Sequence, residues 1–431
     1  MIALTIDELE QLVAGALETY GDAVTGVKID SRRVEPGDLF VAVGRGAEFL
    51  MEARDRGAAA TLVPRDAFAA VGTLGAVVRE LSSARVVGIT GSTGKTSTKD
   101  ILAALCAPVA RTVAAEASFN NELGVPLTLC RLEHDTEVCV LELAMRGLGQ
   151  IAELALLAEP EIGVITGVGP VHLELVGTVA AVAQAKAELI EALPSGGVAI
   201  VPADAKELVP YLKRDDVEVR RFSAADIRSA VTDGERTHAL LAVNGRELEL
   251  SFNFVAQHHL LNALAALHAY DALGLPLDRV AEGASSVAFS PWRGEEIVLE
   301  GDGLLINDAY NANPVSMRAA LDHLVARAGG RRRVAVLGDM AELGPDAPRY
   351  HREIARHASQ AGVDVLLAVG ALARYYVEGQ TGIPSVRHVD GREDAIAALD
   401  ELVQPGDCVL VKASRAMGLE AVAEALAGAR V

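Results

Sequence analysis

The sequence predicts an α/β protein of three domains, with boundaries at 1–83, 84–293 and 294–431. Three observations point there. A chain of 431 residues exceeds what a single core organises and suggests about three domains. From Arg85 onward, apolar β-branched runs ("RVVGIT", "VCVLELA", "IGVITGV", "GGVAIVP") alternate with Ala- and Leu-rich helical stretches. Continuous apolar strands between helices imply buried, mostly parallel sheets. The pattern also resets twice, once after the first eighty or so residues and again near "FSPWRGE".

The first segment mixes a helix, "TIDELEQLVAGAL", with strand-like pieces "GVKID", "DLFVAV" and "AATLV". "VEPGD" between two of them is turn chemistry, and together they read as a small α/β domain. In the second, "HALLAVNGRELELSFNF" reads as a hairpin turning at Asn244-Gly245, because Asn-Gly accepts the positive φ angles that a tight hairpin turn demands. The helix "HHLLNALAALHAYDALG" follows. In the third, "RVAVLGDM", "VDVLLAVG" and "DCVLVKAS" read as buried strands with helices between them.

Composition narrows the function. The chain is 51% hydrophobic and 23% charged, which supplies apolar material for packed cores and excludes a disordered chain. Its net charge of −20 repels polyanions, so nucleic acid is not an expected partner. A nucleotide needs only a local positive pocket and remains compatible. Cys106, Cys130, Cys139 and Cys408 form no CxxC pair and read as small core side chains rather than a zinc or disulfide framework. The opening "MIALTIDELEQLV" carries acids where a signal peptide carries a basic segment. No uninterrupted apolar run approaches the roughly 18 to 20 residues that span a bilayer. The expectation is a soluble cytoplasmic protein, a monomer without membrane insertion.

"TGSTGKTS" (Thr90 to Ser97) follows one expected strand and opens the expected helix "KTSTKDILAALC". Glycines let backbone close around phosphate, and a helix N-terminus adds N–H donors and a partial positive charge. Gly91, Ser92, Thr93, Gly94, Lys95, Thr96 and Ser97 are the candidate phosphate loop. Lys95 would reach the β- and γ-phosphates, and the Thr96 hydroxyl would hold Mg²⁺. The usual pattern asks for a glycine five residues before Gly94, where Ile89 stands. The spacing here is GxxGKT from Gly91. Such a turn says nucleotide and leaves the reaction open.

Further polar groups interrupt structured apolar surroundings: Asn120 and Asn121 in "ASFNNELGVPLT", Glu142 ending an apolar strand in "LELAMRGLGQI", and His172 in "ITGVGPVHLELVGT". Lys186 in "AQAKAEL", Asn262 in "LLNALAAL", Arg293 in "WRGE", Asp308 in "NDAYNANPVSM" and the stretch "VKASRAMGLE" complete the series. Ends of buried parallel strands are where α/β folds place their sites. This set, in this order, resembles the Mur ligases, the ATP-dependent amide-forming enzymes of peptidoglycan precursor synthesis. "FNNELGVPLT", "ELAMRGLGQI", "DAYNANPVSM" and "LGDMAELG" look most like the branch that adds D-alanyl-D-alanine to UDP-N-acetylmuramoyl-tripeptide.

The resemblance implies an N-terminal UDP-sugar domain, a central ATP-binding P-loop domain on a parallel sheet, and a C-terminal Rossmann-like ligase domain. It implies ATP, two Mg²⁺ ions and an acyl-phosphate intermediate, with UDP-N-acetylmuramoyl-tripeptide and D-Ala-D-Ala as substrates. Thr96 and Glu142 would meet a first metal with hard oxygen ligands, and His172 a second. Read alone, His172 is a hydrogen-bonded structural histidine. Lys186 matches a lysine that the family carbamylates; on its own, a helix lysine is a solvated charge. Lys95, His172, Lys186 and Arg293 would form the catalytic group. Asn120, Asn262, Arg293 and Asp308 would bind nucleotide. Asn311, Asn313, Lys412, Ser414 and Arg415 would face the incoming dipeptide, phosphate or a substrate carboxylate, although "NDAYNANP" alone is turn chemistry and Lys412 with Arg415 alone is a surface charge cluster. "DSRRVEPGDLFVAV" resembles the uridine-binding segment, with Ser31 and Arg32 as contacts.

Two departures from the family stand out. "GRHNxxNA" reads "AQHHLLNA" here, and the "DGHDF"-like stretch is replaced by "GRGAEFL". Three other readings were compatible with parts of the pattern: a folylpolyglutamate- or cyanophycin-type ligase, a P-loop kinase or GTPase, and a silent binding protein on a ligase fold. A kinase would not need Glu142, His172 and Lys186 together, and a silent protein would not need Lys95, Thr96, Glu142 and His172 intact.

Overall fold

In the computed structural model, which describes residues 1–430, strands and helices alternate as expected for α/β. Contacts divide the chain into two units. The first comprises Met1–Gly167, Gln184–Phe254 and Leu260–Ala288. The second comprises Val168–Ala183, Val255–His259 and the chain from Phe289 onward.

The first unit is organised by a six-stranded, wholly parallel sheet in the order Glu218–Phe222, Val198–Pro202, Ile162–Ile165, Arg85–Thr90, Val138–Glu142, Thr112–Ala114. The chain starts at Arg85–Thr90, runs to the edge at Thr112–Ala114, returns to place Val138–Glu142 between them, then crosses and builds outward on the other side. Strand order therefore reverses at Arg85–Thr90, and ligands of such sheets bind beyond the strand ends at that point. The glycine-rich turn begins there. The helix after it, Lys95–Cys106, has the bounds read from the sequence. The hairpin also forms as expected, with Arg236–Val243 pairing antiparallel to Arg246–Phe252. Asn244 (φ 49°) and Gly245 (φ 77°) make its left-handed turn.

The N-terminal helix is a correction. The expected helix "TIDELEQLVAGAL" ends at Leu12. Residues Gly15–Thr19 instead form a strand antiparallel to Ala60–Pro64. A capping box between Thr5 and Glu8 starts the helix, but ladder pairing overrides helix propensity beyond Leu12. Gly15 allows that pairing, since a Cβ there would strike the Val63 carbonyl.

The second unit carries a six-stranded sheet in the order Glu295–Leu299, Gly303–Asn307, Cys408–Lys412, Arg333–Gly338, Val365–Val369, Ser385–Val389. All neighbours pair parallel except the first two. Its four inner strands are largely apolar because both their faces are covered, whereas the edge strands Glu295–Leu299 and Ser385–Val389 carry exposed polar residues. Ala335 and Leu337 join one core cluster with Leu366 and Leu410, while Val334 and Val336 join another with Leu367 and Val409. That alternation is the two-residue period of a strand. All four cysteines are buried free thiols, as read from the sequence. Among the described residues no helix is long and apolar enough to cross a membrane.

Two glycines of the helix Ala67–Leu81 separate packing from propensity. A Cβ on Gly75 would lie 2.7 Å from Pro126 Cα, whereas one on Gly72 meets nothing within 4 Å. Gly75→Ala should lower stability, since overpacking costs about 1–3 kcal/mol. Gly72→Ala should be neutral or stabilise by up to about 1 kcal/mol, the helix preference for alanine. Urea unfolding midpoints check this, and equal shifts for the two variants would contradict the packing.

Candidate active site

The expected site residues divide between the units. In the first, the turn leaving Arg85–Thr90 owes its path to two glycines. Gly91 (φ 152°) and Gly94 (φ 80°) take positive φ, and added Cβ atoms would strike the Thr166 hydroxyl and the Asn262 amide oxygen, respectively. Asn262 thus lies directly against the phosphate-loop backbone. Gly94 precedes the helix without a side-chain cap, and no acid stands in the first helical turn. The positive end of the helix is thereby presented to an anion rather than neutralised from within. The Lys95 ammonium donates to the Gly91 carbonyl at 2.8 Å, inside the loop it would serve. Ser97 is buried in the same turn.

Glu142 ends the neighbouring strand and pairs in register with Ile89. Only 1% of it is exposed. Its carboxylate accepts one bond from the Thr96 hydroxyl at 2.8 Å and another from Asn120 Nδ2 at 2.7 Å. Buried charge persists only where donors replace water. The result is a fixed cluster of hard oxygens at the helix N-terminus, the donor chemistry that suits Mg²⁺. Asn121 has a local job: its Oδ1 accepts from the Gly124 amide at 2.9 Å.

Lys99, given no role from sequence, holds the loop before Asn120. Its buried ammonium donates to the carbonyls of Ala115 at 2.7 Å and Ala117 at 2.9 Å and pairs with Asp100 at 2.8 Å. The signal was its place one helical turn after Lys95 on an apolar face. Lys186 lies in the helix Val179–Glu191 and is 2% exposed, so it is not a solvated helix lysine. Burial, and then the charge of Lys95, pull its ammonium well below the ordinary lysine value.

Ser31 and Arg32 are engaged locally. The Ser31 hydroxyl donates to Glu52 at 2.9 Å. Arg32 forks onto Asp30 at 2.9 and 2.8 Å.

In the second unit the expected residues gather beyond adjacent strand ends. Lys412 closes its strand, 2% exposed, and is not a surface charge. Its ammonium pairs with Asp308 at 2.6 Å and donates to the Asn311 carbonyl at 2.9 Å. Burial draws it below the ordinary lysine value, and Asp308 offsets part of that. Asn313 caps the helix Pro314–Ala328, its Oδ1 accepting from Val315 and Ser316 amides at 3.1 and 3.0 Å. Asn311 Oδ1 accepts from the Ala312 amide at 2.8 Å. Ser414 Oγ accepts from the Ala341 amide at 2.8 Å.

Arg293 stacks over Tyr310 at 3.9 Å, and Arg415 over Trp292 at 4.7 Å. Exposed Arg415 also pairs with Glu420 at 2.7 Å. His172, at φ 53°, meets Glu342 through Nδ1. Glu342 had no role from sequence, although "GDMAELG" was among the segments that stood out.

Lys186 gives a pH signature. Its folded value lies below the unfolded one, so between the two the unfolded chain binds the extra proton. The buried lysine therefore costs stability at neutral pH, and the cost disappears as pH rises to about 10.4, the unfolded value. In CO₂-free buffer Lys186→Met should unfold at higher urea than the parent at pH 7, with the gain shrinking toward pH 10. An equal gain at both would mean that the lysine is not depressed.

Residues 89–270 match the family model described as Mur ligase middle domain, and residues 293–415 match that described as Mur ligase, glutamate ligase domain. The UDP-N-acetylmuramoyl-tripeptide–D-alanyl-D-alanine ligase of Mycobacterium tuberculosis strain H37Rv is 35% identical, over 99% of this chain and 98% of that one. Among solved structures, MurF from Acinetobacter baumannii aligns with TM-score 0.86 and 27% identity over 99% of both chains. MurF ligase from Thermotoga maritima, solved in complex with ADP, aligns with TM-score 0.80 and 26% identity over 94% of this chain and 97% of that one. With family models over most of its length and a full-length relative at this identity, the chain belongs to the Mur ligase family, in its MurF branch.

Proposed function

We propose that this protein joins D-alanyl-D-alanine to UDP-N-acetylmuramoyl-tripeptide at the expense of ATP, in peptidoglycan precursor synthesis. The observation that carries the reading is the buried Thr96–Glu142 pair, joined by half-buried Asn120, at the N-terminus of the phosphate-loop helix, in a chain whose full-length relatives are named for that reaction. Residues 1–83 would hold the UDP-sugar, with Ser31 and Arg32 toward uridine or diphosphate. Residues 84–293 would hold ATP, and 294–431 the dipeptide side. The enzyme would act as a cytoplasmic monomer.

In this reading the tripeptide's terminal carboxylate takes the γ-phosphoryl group and ADP departs. The dipeptide amine then attacks the acyl carbon, the bond to phosphate oxygen breaks, and the amine's proton leaves as the amide forms. The difficulty is bringing polyanions together. Lys95 and the uncapped helix end supply fixed positive potential at the β- and γ-phosphates, and held geometry lowers the barrier further. Thr96 and Glu142 would hold one Mg²⁺ and His172 a second; bound metal neutralises phosphate charge and orients the transferred group. Asn120, Asn262, Arg293 and Asp308 would seat the nucleotide. Asn311, Asn313, Lys412, Ser414 and Arg415 would border the dipeptide or phosphate.

Lys186 fits carbamylation. Burial disfavours the ammonium form of Lys186 and so eases access to its neutral amine, whose nitrogen adds to CO₂ with loss of one proton. That gives a carboxylate-like anion beside Lys95, an attractive pair where a Lys186 ammonium would be repelled.

The test is phosphate release from Mg-ATP with UDP-N-acetylmuramoyl-tripeptide, with and without D-Ala-D-Ala, and the product mass. Release that needs both substrates, with a gain of one dipeptide, is expected. CO₂-free buffer should slow it and bicarbonate should restore it; an unchanged rate counts against carbamylation. Release with glutamate and none with the dipeptide would move the substrate while keeping the ligase chemistry.

A further inference from the structure

Two non-glycine residues of the second unit hold left-handed backbone and meet side chain to side chain: His172 (φ 53°) and Glu342 (φ 60°). Bulky residues rarely adopt such angles, and those that persist do so because their surroundings over-determine them. The surroundings of Glu342 do so. In the loop that carries it, the Asp339 carbonyl accepts from the Ser414 amide at 3.0 Å. Asp339 Oδ1 accepts from the Ala373 amide at 2.7 Å. The Met340 amide donates to His351 Nε2 at 3.0 Å, and the Ala341 amide to Ser414 Oγ at 2.8 Å.

A backbone bond already ties this loop to the histidine segment, since the Glu174 amide donates to the Glu342 carbonyl at 3.1 Å. Gly344 comes close to the same residue, an added Cβ lying 3.3 Å from Glu174 Cα. The tether therefore does not need the carboxylate. What the carboxylate adds is control of the ring. A neutral imidazole that donates Nδ1–H to a carboxylate carries its lone pair on Nε2. A carboxylate behind a histidine fixes the tautomer and raises the basicity of the other nitrogen.

We propose that Glu342 is a positioning residue for His172, holding the ring and its Nδ1–H tautomer so that Nε2 is the nitrogen offered to a divalent cation. This rests on the reading above in which His172 meets metal, but its first test does not. In protein labelled with ¹⁵N-histidine, without nucleotide or metal, long-range ¹H–¹⁵N spectra report the tautomer, and His172→Gln assigns the signal. The parent should show the Nδ1–H form.

Glu342→Gly suits the left-handed backbone and should fold at least as stably as the parent, yet it should lose that form. Glu342→Gln keeps a carbonyl acceptor and should retain much of it. In the ligase assay, half-saturating Mg²⁺ should rise about ten- to a hundredfold in Glu342→Gly, with partial rescue in Glu342→Gln. An unchanged tautomer in Glu342→Gly would overturn the proposal. So would an unchanged Mg²⁺ requirement in an active Glu342→Gly variant. Loss of the Nδ1–H form in Glu342→Gly, in a protein whose parent shows no ligase activity, would uphold the positioning and reject the reaction.

Discussion

A carboxylate taken out of water needs donors to replace it, and Glu142 is the case around which the first unit is arranged. It sits at the end of a strand next to the one that feeds the glycine turn, so its partners come from the segments beyond the strand ends. Thr96 comes from the helix after the turn and Asn120 from a separate loop. Each of these elements is held in place independently. Gly91 and Gly94 permit the turn, and Lys99 fastens the loop before Asn120 with two carbonyl bonds and an acidic partner. Neither donor to Glu142 is charged, which leaves the carboxylate's negative charge uncompensated by a cation within the cluster itself. A divalent ion is the natural complement of that arrangement.

The second unit solves a related problem with opposite sign. Lys412 is a buried cation at a strand end, matched by Asp308 and the Asn311 carbonyl. Buried pairs of this kind often add little net stability but specify geometry. Here the geometry is the turn from Asp308 to Asn313, which then caps a helix through Asn313. Ser414, two residues after Lys412, reaches the loop of Asp339 to Gly344. Asn311, Asn313, Lys412 and Ser414 therefore belong to one hydrogen-bonded shelf, which gives them structural duties alongside any contact with substrate, whereas Arg415 pairs with Glu420.

Much of this was legible in the residues. Continuous apolar runs announced strands covered on both faces, because no side chain of such a strand has water to meet. Asn244-Gly245 announced its hairpin because few residue pairs accept two positive φ angles. The helix from Lys95 was framed by glycine on one side and an apolar repeat on the other. Tertiary pairing was not legible: nothing local in "VAGALET" says that Gly15–Thr19 will join a strand 45 residues later. Glu342 was hidden, and for Lys99 only its place on the helix was legible, since their partners, His172 and the carbonyls of Ala115 and Ala117, are brought to them by topology. Lys186 and Lys412 looked like ordinary surface cations by residue type, and only burial distinguishes them.

The central claim is that Glu142 and Thr96 form a metal-dependent nucleotide site. Calorimetric titration of ADP into the parent and into Glu142→Gln, each with and without Mg²⁺, tests it most directly. Glutamine is nearly isosteric, can still accept from the Thr96 hydroxyl, and can donate to Asn120 once that amide turns its oxygen inward, so the fold should persist. The account predicts that Mg²⁺ strengthens ADP binding at least tenfold in the parent and has little effect in the variant. An equal Mg²⁺ dependence in a folded Glu142→Gln protein would contradict it.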